Sequence, residues 1–204
     1  MTNTIDASTS NSGDELVDEV RSWLEENWDA DLTIAAWWER LGLAGWAAPT
    51  LPTNAYGRGV ARSLAVQIQQ EITAFGALGA PGGLGLLLAA PTIADHGTQE
   101  QIDSYVRDIV TGQRSWCQLF SEPGAGSDLA SLGCRAVRDG DEFVVSGQKV
   151  WNSAAQWCDR GMLLARARWS CRRASGSRRR RLCGCAVGQC RCRTAASVPR
   201  MRCN

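Results

Sequence analysis

The amino-acid sequence predicts an α+β protein in which an amino-terminal helical domain is followed by an antiparallel β domain. Two observations lead to this prediction. Apolar residues recur at helical spacing up to about residue 112, and short β-compatible segments separated by turn residues follow. Helices segregated from strands indicate an α+β fold, because a doubly wound fold alternates the two along the chain. The 204 residues suffice for one full domain or two small ones.

Amphipathic segments make up the predicted helical domain. Ser12 and Glu15 have capping-box spacing and predict the start of the first helix, and Thr98 and Gln101 repeat that spacing later. Pro91 is expected to stop or kink the helix that precedes it, because proline lacks an N–H donor. The predicted inward stripes are Leu16, Val17, Val20, Trp23 and Leu24; Ile34, Trp37, Trp38 and Leu41; Val60, Leu64, Ile68, Ile72 and Phe75; and Ile102, Tyr105, Val106 and Ile109.

Strand-like segments make up the second predicted domain. Asp139-Gly140 predicts a hairpin, since glycine tolerates positive φ. The predicted strands cover 115–121, 134–138, 142–146, 149–153 and 161–166. The resulting division is a disordered amino terminus over 1–13, a helical domain over 14–113, a partial β domain over 114–167 and a tail over 168–204.

The tail differs from the rest of the chain in charge and composition. Before Arg168 there are eleven basic and 21 acidic residues, whereas from Arg168 onward there are eleven arginines and no acid. The tail is expected to be disordered or the product of a shifted reading frame, because its apolar periodicity stops. Two further hypotheses stay open: phosphate neutralisation by the arginines, which would bind nucleic acid, and metal binding by Cys183, Cys185, Cys190 and Cys192. Zinc ligands are usually spaced more widely than C-x-C.

No targeting or membrane segment is expected. The first 14 residues lack the basic and apolar regions of a signal peptide. The longest mostly apolar run, 84–94, is too short to span a bilayer and contains Pro91. A cytoplasmic protein with reduced thiols is therefore predicted, and the odd number of cysteines, nine, argues against a complete disulfide framework.

The most informative string is Phe-Ser-Glu-Pro-Gly-Ala-Gly-Ser-Asp over 120–128. Gly124 and Gly126 lack Cβ atoms, so backbone N–H groups there can approach a ligand closely. Ser121 and Ser127 add hydroxyls that donate or accept hydrogen bonds. Such a loop suits a phosphate or a ring carbonyl, although short glycine motifs alone are weak signals and a simple turn is the alternative.

A second string, Gly-Gln-Lys-Val-Trp-Asn-Ser over 147–153, follows about one hairpin later. On a strand, residues two apart point to the same side, so Trp151 and Ser153 would present a flat face and a hydroxyl to one planar heterocycle. The alternative is a tryptophan in the β core with Ser153 at a strand end.

Together the two strings resemble the acyl-CoA dehydrogenase family, whose motifs read Glu-Pro-Gly-Ala-Gly-Ser-Asp and Gly-x-Lys-x-Trp-x-Thr/Ser. The resemblance covers roughly residues 16–166 and includes Leu-Gly-Leu-Ala-Gly at 41–45, Tyr56-Gly57, the string beginning His-Gly-Thr at 96, and Thr111-Gly112. It implies an acyl-CoA dehydrogenase-type helical domain followed by part of the middle β domain.

The resemblance also implies a FAD site. It places Ser127 near the flavin phosphate and the acyl-CoA substrate, and Trp151 against the flavin ring. The full set of implied cofactor-binding residues is Gln118, Leu119, Phe120, Ser121, Gly126, Ser127, Trp151, Asn152 and Ser153.

The family reaction removes the α proton of an acyl-CoA thioester with a carboxylate base and passes the β hydride to the flavin. The resemblance assigns no catalytic base here, since that Glu lies later in the family sequence, and Glu122 belongs to the flavin loop. It implies an electron-transfer acceptor and a homo-oligomer for an intact member, and a truncated, inactive form for this chain. Flavin monooxygenases and nitroalkane oxidases, which share the architecture, are the alternative within the fold.

Overall fold

The computed structural model describes residues 7–140, 142–167 and 201–203, with side chains over 13–140 and 142–167. The chain divides into two compact units, Met1–Gln113 and Arg114–Asn204. The first unit is helical, as predicted. Its α-helices are α1 (Ala7–Asn27), α2 (Ile34–Leu43), α3 (Arg62–Ala74), α4 (Ala90–His96), α5 (Gln99–Gln101) and α6 (Arg107–Val110).

The core of the helical unit is built from the predicted stripes. Trp37 is 1% exposed, and its indole N–H donates to the carbonyl of Leu78 at 2.6 Å. The neighbouring Trp38 indole donates to the carbonyl of Gly79 at 2.9 Å. Ile34 is 57% exposed, so its predicted inward position is wrong; as the first residue of α2 it lies at the helix end. Other buried stripe residues are Val20, Leu24, Leu41, Ile68, Ile72, Ile102, Val106 and Ile109.

One of the two predicted capping boxes is present. Thr98 accepts a hydrogen bond from the Gln101 backbone at 3.3 Å, and the Gln101 side chain accepts from the Thr98 backbone at 2.9 Å. The Ser12 box is wrong, because α1 already begins at Ala7 and Ser12 lies within the helix. Serine and glutamate at this spacing are also tolerated inside helices, so the pattern does not by itself mark a helix start.

Helical structure continues through Pro91, so of the expected stop or kink the stop does not occur. A π-helical turn, Gly85–Ala89, precedes α4, and the Ala90 backbone N–H donates to Gly85 five residues earlier. Proline in a regular α-helix removes one hydrogen bond and clashes with the carbonyl four residues before it. A wider turn just before the proline accommodates both effects, so the chain passes through.

The described residues of the second unit form six strands: β1 (Trp116–Leu119), β2 (Arg135–Asp139), β3 (Glu142–Ser146), β4 (Arg160–Leu163), β5 (Arg166–Ala167) and β6 (Met201–Cys203). β2 and β3 form the predicted hairpin, in which Asp139 pairs with Glu142 and Gly140 has a φ of 65°. β1 pairs with β4, and the other four strands are ordered β5-β2-β3-β6.

The β2–β3 pairing is antiparallel, as predicted, whereas two other pairings are parallel, which the sequence does not predict. β1 runs parallel to β4, with Trp116 opposite Arg160, and β2 runs parallel to β5. Parallel neighbours need a long connection rather than a tight turn. Turn residues reveal only the hairpin, so the sequence could not show these longer-range pairings.

The segment predicted as a strand over 149–153 has no strand structure. The predicted tail lies outside the described residues except for β6, which pairs antiparallel with β3. In the described ranges, no helix is both long and apolar enough to cross a membrane.

Candidate flavin site

The first motif forms a loop directly after β1. Glu122 and Ala125 exchange backbone hydrogen bonds of 3.0 and 3.1 Å, so Pro123 and Gly124 occupy a tight turn. Gly126 and Ser127 follow this turn and are exposed. The glycine-rich part of the motif is therefore a projecting backbone loop anchored at Glu122.

The second motif is attached to the first by its backbone and by a buried ion pair. Val150 donates its backbone N–H to the Ser121 carbonyl at 2.9 Å. The Lys149 ammonium donates to the Phe120 carbonyl at 2.9 Å and to the Glu122 carboxylate at 2.8 Å. Two strings nearly thirty residues apart therefore meet at one place.

Glu122 is the most heavily bonded side chain of the site. Its carboxylate also accepts backbone N–H groups of Gly133 at 2.6 Å and Cys134 at 2.9 Å. Burial by itself raises the pKa of Glu122, but the hydrogen bonds from Lys149, Gly133 and Cys134 outweigh it and hold the pKa below the usual range. An ionised carboxylate with this many donors is suited to holding the loop rather than to accepting a substrate proton.

Trp151 is the most exposed large side chain of the site, with 89% of its surface accessible. The core alternative considered for it is therefore wrong. Its φ is 59°, in the left-handed region that bulky residues rarely adopt, and its carbonyl accepts the Ser153 N–H at 3.0 Å. Trp151 and Ser153 consequently lie on a tight turn and not on a strand, so the same-side argument from strand periodicity fails. The flat face of the Trp151 indole is nevertheless available to a ligand, because the side chain is exposed.

Asn152 carries an unsatisfied polar atom. Its side-chain oxygen is buried and, within the described part of the chain, has no hydrogen-bond partner. Buried acceptors normally find a donor, so an unpaired one needs an explanation. The adjacent Ser153 is exposed.

The other predicted site residues fall into two groups. Gln118, Phe120 and Ser121 are half-buried at the end of β1 and in the loop after it. Leu119 is 8% exposed and packs into the core of the β unit with Cys117 and Leu163, so its side chain is not brought to the site. Of the predicted residues, the structure thus joins Phe120 and Ser121 to the segment that carries Trp151 and Asn152.

Neither Gly124 nor Gly126 is required by the chain's own packing. A Cβ at either position would meet no described atom within 4 Å, and neither residue has a positive φ. The open space above both residues fits a loop that leaves room for a ligand. Together with the exposed indole and the unpaired Asn152 oxygen, it indicates that the donor set fits a flat, polar ring with phosphate attached.

Two polar features were not assigned from the sequence. One is the Glu122–Lys149 pair, which a charge pattern cannot reveal because its members are far apart in the chain. The other is Asp159, which accepts the Ser115 N–H at 2.9 Å and contacts Arg114 at 3.1 Å. The backbone hydrogen bond from Ser115 is the main reason why the pKa of Asp159 is lowered. This carboxylate fastens the residues that precede β1 and β4.

The comparisons with known proteins agree with this architecture. The model of the acyl-CoA dehydrogenase N-terminal domain matches residues 10–113, and the model of the acyl-CoA dehydrogenase middle domain matches residues 117–188. The two matches correspond to the helical unit and to the unit that carries both motifs.

Individual relatives point the same way. Acyl-CoA dehydrogenase FadE34 of Mycobacterium tuberculosis is 48% identical over 122 residues, which cover 60% of this chain and 17% of that protein. The ChsE4-ChsE5 complex from Mycobacterium tuberculosis matches with a TM-score of 0.54 and 31% identity, covering 82% of this chain and 44% of that one. The Tcur3481-Tcur3483 steroid ACAD matches with a TM-score of 0.53 and 30% identity, covering 84% and 46%.

The chain spans less than half the length of each of these relatives. The family model for the helical domain alone covers about half of the chain, and the middle-domain model covers the two motifs. This chain therefore belongs to the acyl-CoA dehydrogenase family.

Proposed function

We propose that this chain supplies the flavin-contacting part of an enzyme that dehydrogenates an acyl-CoA thioester between its α and β carbons. The observation that carries the proposal is Trp151, a bare indole face bonded through its own segment to the glycine-rich loop. An isolated hydrophobic side chain on a surface needs no explanation, but a strained and exposed tryptophan beside an unpaired buried acceptor does.

FAD, when bound, would supply the hydride acceptor of the reaction. Trp151 would stack on its ring, and Asn152 and Ser153 would hydrogen-bond to polar atoms near that ring. Gln118, Phe120 and Ser121, which lie at the end of β1 and in the loop after it, would contact the cofactor from a second side. The exposed backbone at Gly126 and the Ser127 hydroxyl would face phosphate, and Ser127 would also contact the acyl-CoA substrate.

Substrate class and assembly are parts of the same proposal. One matching structure is described as a steroid ACAD and another as a two-protein complex. We therefore expect a bulky acyl-CoA as substrate, and association with a further acyl-CoA dehydrogenase chain for activity. The dehydrogenase names of these relatives favour this chemistry over the monooxygenase and nitroalkane oxidase alternatives.

A titration with added FAD tests the core of the proposal. The full chain and its Trp151→Ala variant are titrated while quenching of flavin fluorescence is recorded. Loss of one aromatic stacking partner is expected to weaken binding about tenfold or more.

Trp157→Ala is the matched control, because Trp157 is 77% exposed and lies in the same unit but outside both motifs. It should leave the dissociation constant unchanged. Equal losses in the two variants, or no saturable binding by the unsubstituted chain, would contradict the proposed function.

A further inference from the structure

The Glu122–Lys149 pair lies beneath the two motif loops and connects three segments of the β unit. Lys149 binds the carbonyl of Phe120 and the carboxylate of Glu122, and Glu122 binds the backbone of Gly133 and Cys134. The two side chains are only 8% and 11% exposed. We call these two side chains the loop clamp.

Stability alone does not account for a buried ion pair at this position. Desolvating two charges costs free energy that their attraction repays only in part, and an apolar pair of similar volume often serves a fold equally well. A charged pair with several directional hydrogen bonds differs from an apolar pair in fixing positions more narrowly. The loop clamp therefore raises the question of which part of the chain it holds in position.

The chain next to the clamp is strained. Trp151 and Ala154 both have φ values near 60°, a conformation that non-glycine residues adopt at a cost. The side chain of Trp151 is almost fully exposed, so its own packing cannot hold this conformation. The anchors lie on either side: Lys149 and Val150 before it, and the Ser153 and Ala155 backbone bonds after it.

We propose that Glu122 and Lys149 are positioning residues that hold Trp151 in its exposed, left-handed conformation and thereby present its indole face to the ring of a bound flavin. Lys149 acts from two residues before Trp151, and Glu122 locks Lys149 to the glycine-rich loop. The flavin part of this inference rests on the proposed function, whereas the effect on Trp151 does not.

Fluorine NMR of the full chain labelled with fluorotryptophan tests the effect on Trp151 without any ligand. The Trp151 resonance is identified by its loss in Trp151→Phe. Lys149→Met keeps an unbranched side chain one atom shorter and removes its charge, so the Trp151 resonance should shift or broaden while that of Trp37 stays in place.

Val145→Ala controls for a general loosening of the same unit, since Val145 is 6% exposed in its core and lies outside both motif strings. This variant should leave the Trp151 resonance unchanged. An unchanged Trp151 resonance in Lys149→Met, or an equal change in Val145→Ala, would overturn the inference. If Lys149→Met does not fold, Glu122→Gln is used, with the same expected change and the same overturning result.

FAD titration of the same variants separates this inference from the proposed function. Lys149→Met should bind FAD about tenfold more weakly, because small misplacements of a positioning group have large effects, and Lys149→Arg should restore much of the affinity. Unchanged FAD affinity in Lys149→Met would overturn the flavin part. Failure of the unsubstituted chain to bind FAD, together with a displaced Trp151 resonance in Lys149→Met, would refute the proposed function and leave the positioning of Trp151 supported.

Discussion

The helical and β units differ in which tryptophans they expose. In the helical unit Trp37 and Trp46 are at most 1% exposed, and Trp23 and Trp28 each pack against Trp37, with ring centroids 5.7 and 4.6 Å apart. The β unit also buries a tryptophan, Trp116, which is 6% exposed, but its Trp151 and Trp157 are 89% and 77% exposed. Among the described residues, the widely exposed tryptophans thus lie in the unit that carries both motifs, where their faces are available to a ligand.

Charged pairs also differ in burial. The ion pairs Arg21–Glu71 and Arg107–Glu39 of the helical unit have at least one member that is more than a third exposed, as does Arg114–Asp159 of the β unit, whereas Lys149–Glu122 is buried on both sides. Exposed pairs contribute little, while a buried pair that loses one partner leaves a charge without compensation. The strongest ionic constraint expected in the β unit is therefore the Lys149–Glu122 pair.

The largest expected effect comes from removing a buried tryptophan. Trp37→Ala should lower the free energy of unfolding of the helical unit by about 3–5 kcal/mol, because a large cavity forms and the bond to Leu78 is lost. Urea unfolding followed by far-UV circular dichroism measures this change. Trp157→Ala, the exposed counterpart, should stay within about 0.5 kcal/mol of the unsubstituted chain. Similar losses in both variants would remove the contrast between the units.

Alanine substitutions at two glycines, one in each unit, should change the free energy of unfolding by less than Trp37→Ala does, again with the larger loss in the helical unit. A Cβ at Gly42 would lie 2.5 Å from the backbone oxygen of Val110, so Gly42→Ala forces α2 away from α6 and should cost about 1–3 kcal/mol. Gly124→Ala meets open space and should change stability by less than about 0.5 kcal/mol while weakening FAD binding. Unfolding midpoints and FAD titration of the two variants check both statements. A stability loss in Gly124→Ala would mean that this loop packs against the protein itself.

Periodicity predicted most of the helical unit because its stripes are local. The apolar spacing over 60–75 predicted α3, and Asp139-Gly140 predicted the β2–β3 hairpin. Pro91 does not stop the helix, because a π-helical turn accommodates a proline that a regular helix would reject. Parallel pairing of β1 with β4 depends on segments more than forty residues apart, and no local pattern encodes such a pairing.

The two motif strings predict the residues of the candidate site, and that assignment stays a prediction. The strand geometry predicted for Trp151 and Ser153 is wrong, because the two residues lie on a tight turn. A positive φ at a tryptophan has no sequence signal, since such a conformation is imposed by its surroundings. The loop clamp could not be predicted for the same reason. Glu122 and Lys149 are ordinary charged residues in the sequence, and only the fold buries them together as a hydrogen-bonded ion pair.

The smallest expected effect is a difference in how acid and salt change the stability contributed by the buried Glu122–Lys149 pair and by the exposed Glu71–Arg21 pair. The folded-state pKa of Glu122 is lowered, so the native state binds fewer protons there than the unfolded chain. Its contribution to stability is fully present above about pH 4.3 and is lost as pH falls through the lowered folded-state value. Urea midpoints of the β unit measured across the acid range should therefore fall more steeply for the unsubstituted chain than for Glu122→Gln.

Glu71→Gln provides the exposed comparison. The hydrogen bond from Arg21 lowers the pKa of Glu71 as well, so the sign of its acid dependence is the same. Solvent and salt screen this pair, since Arg21 is 52% exposed, so its removal should change stability little, and less at high salt. Salt should hardly change the effect of Glu122→Gln, because its partner Lys149 is buried. If both glutamates responded equally to salt, the Glu122–Lys149 pair would be open to water in solution, and a rigid loop clamp would be contradicted.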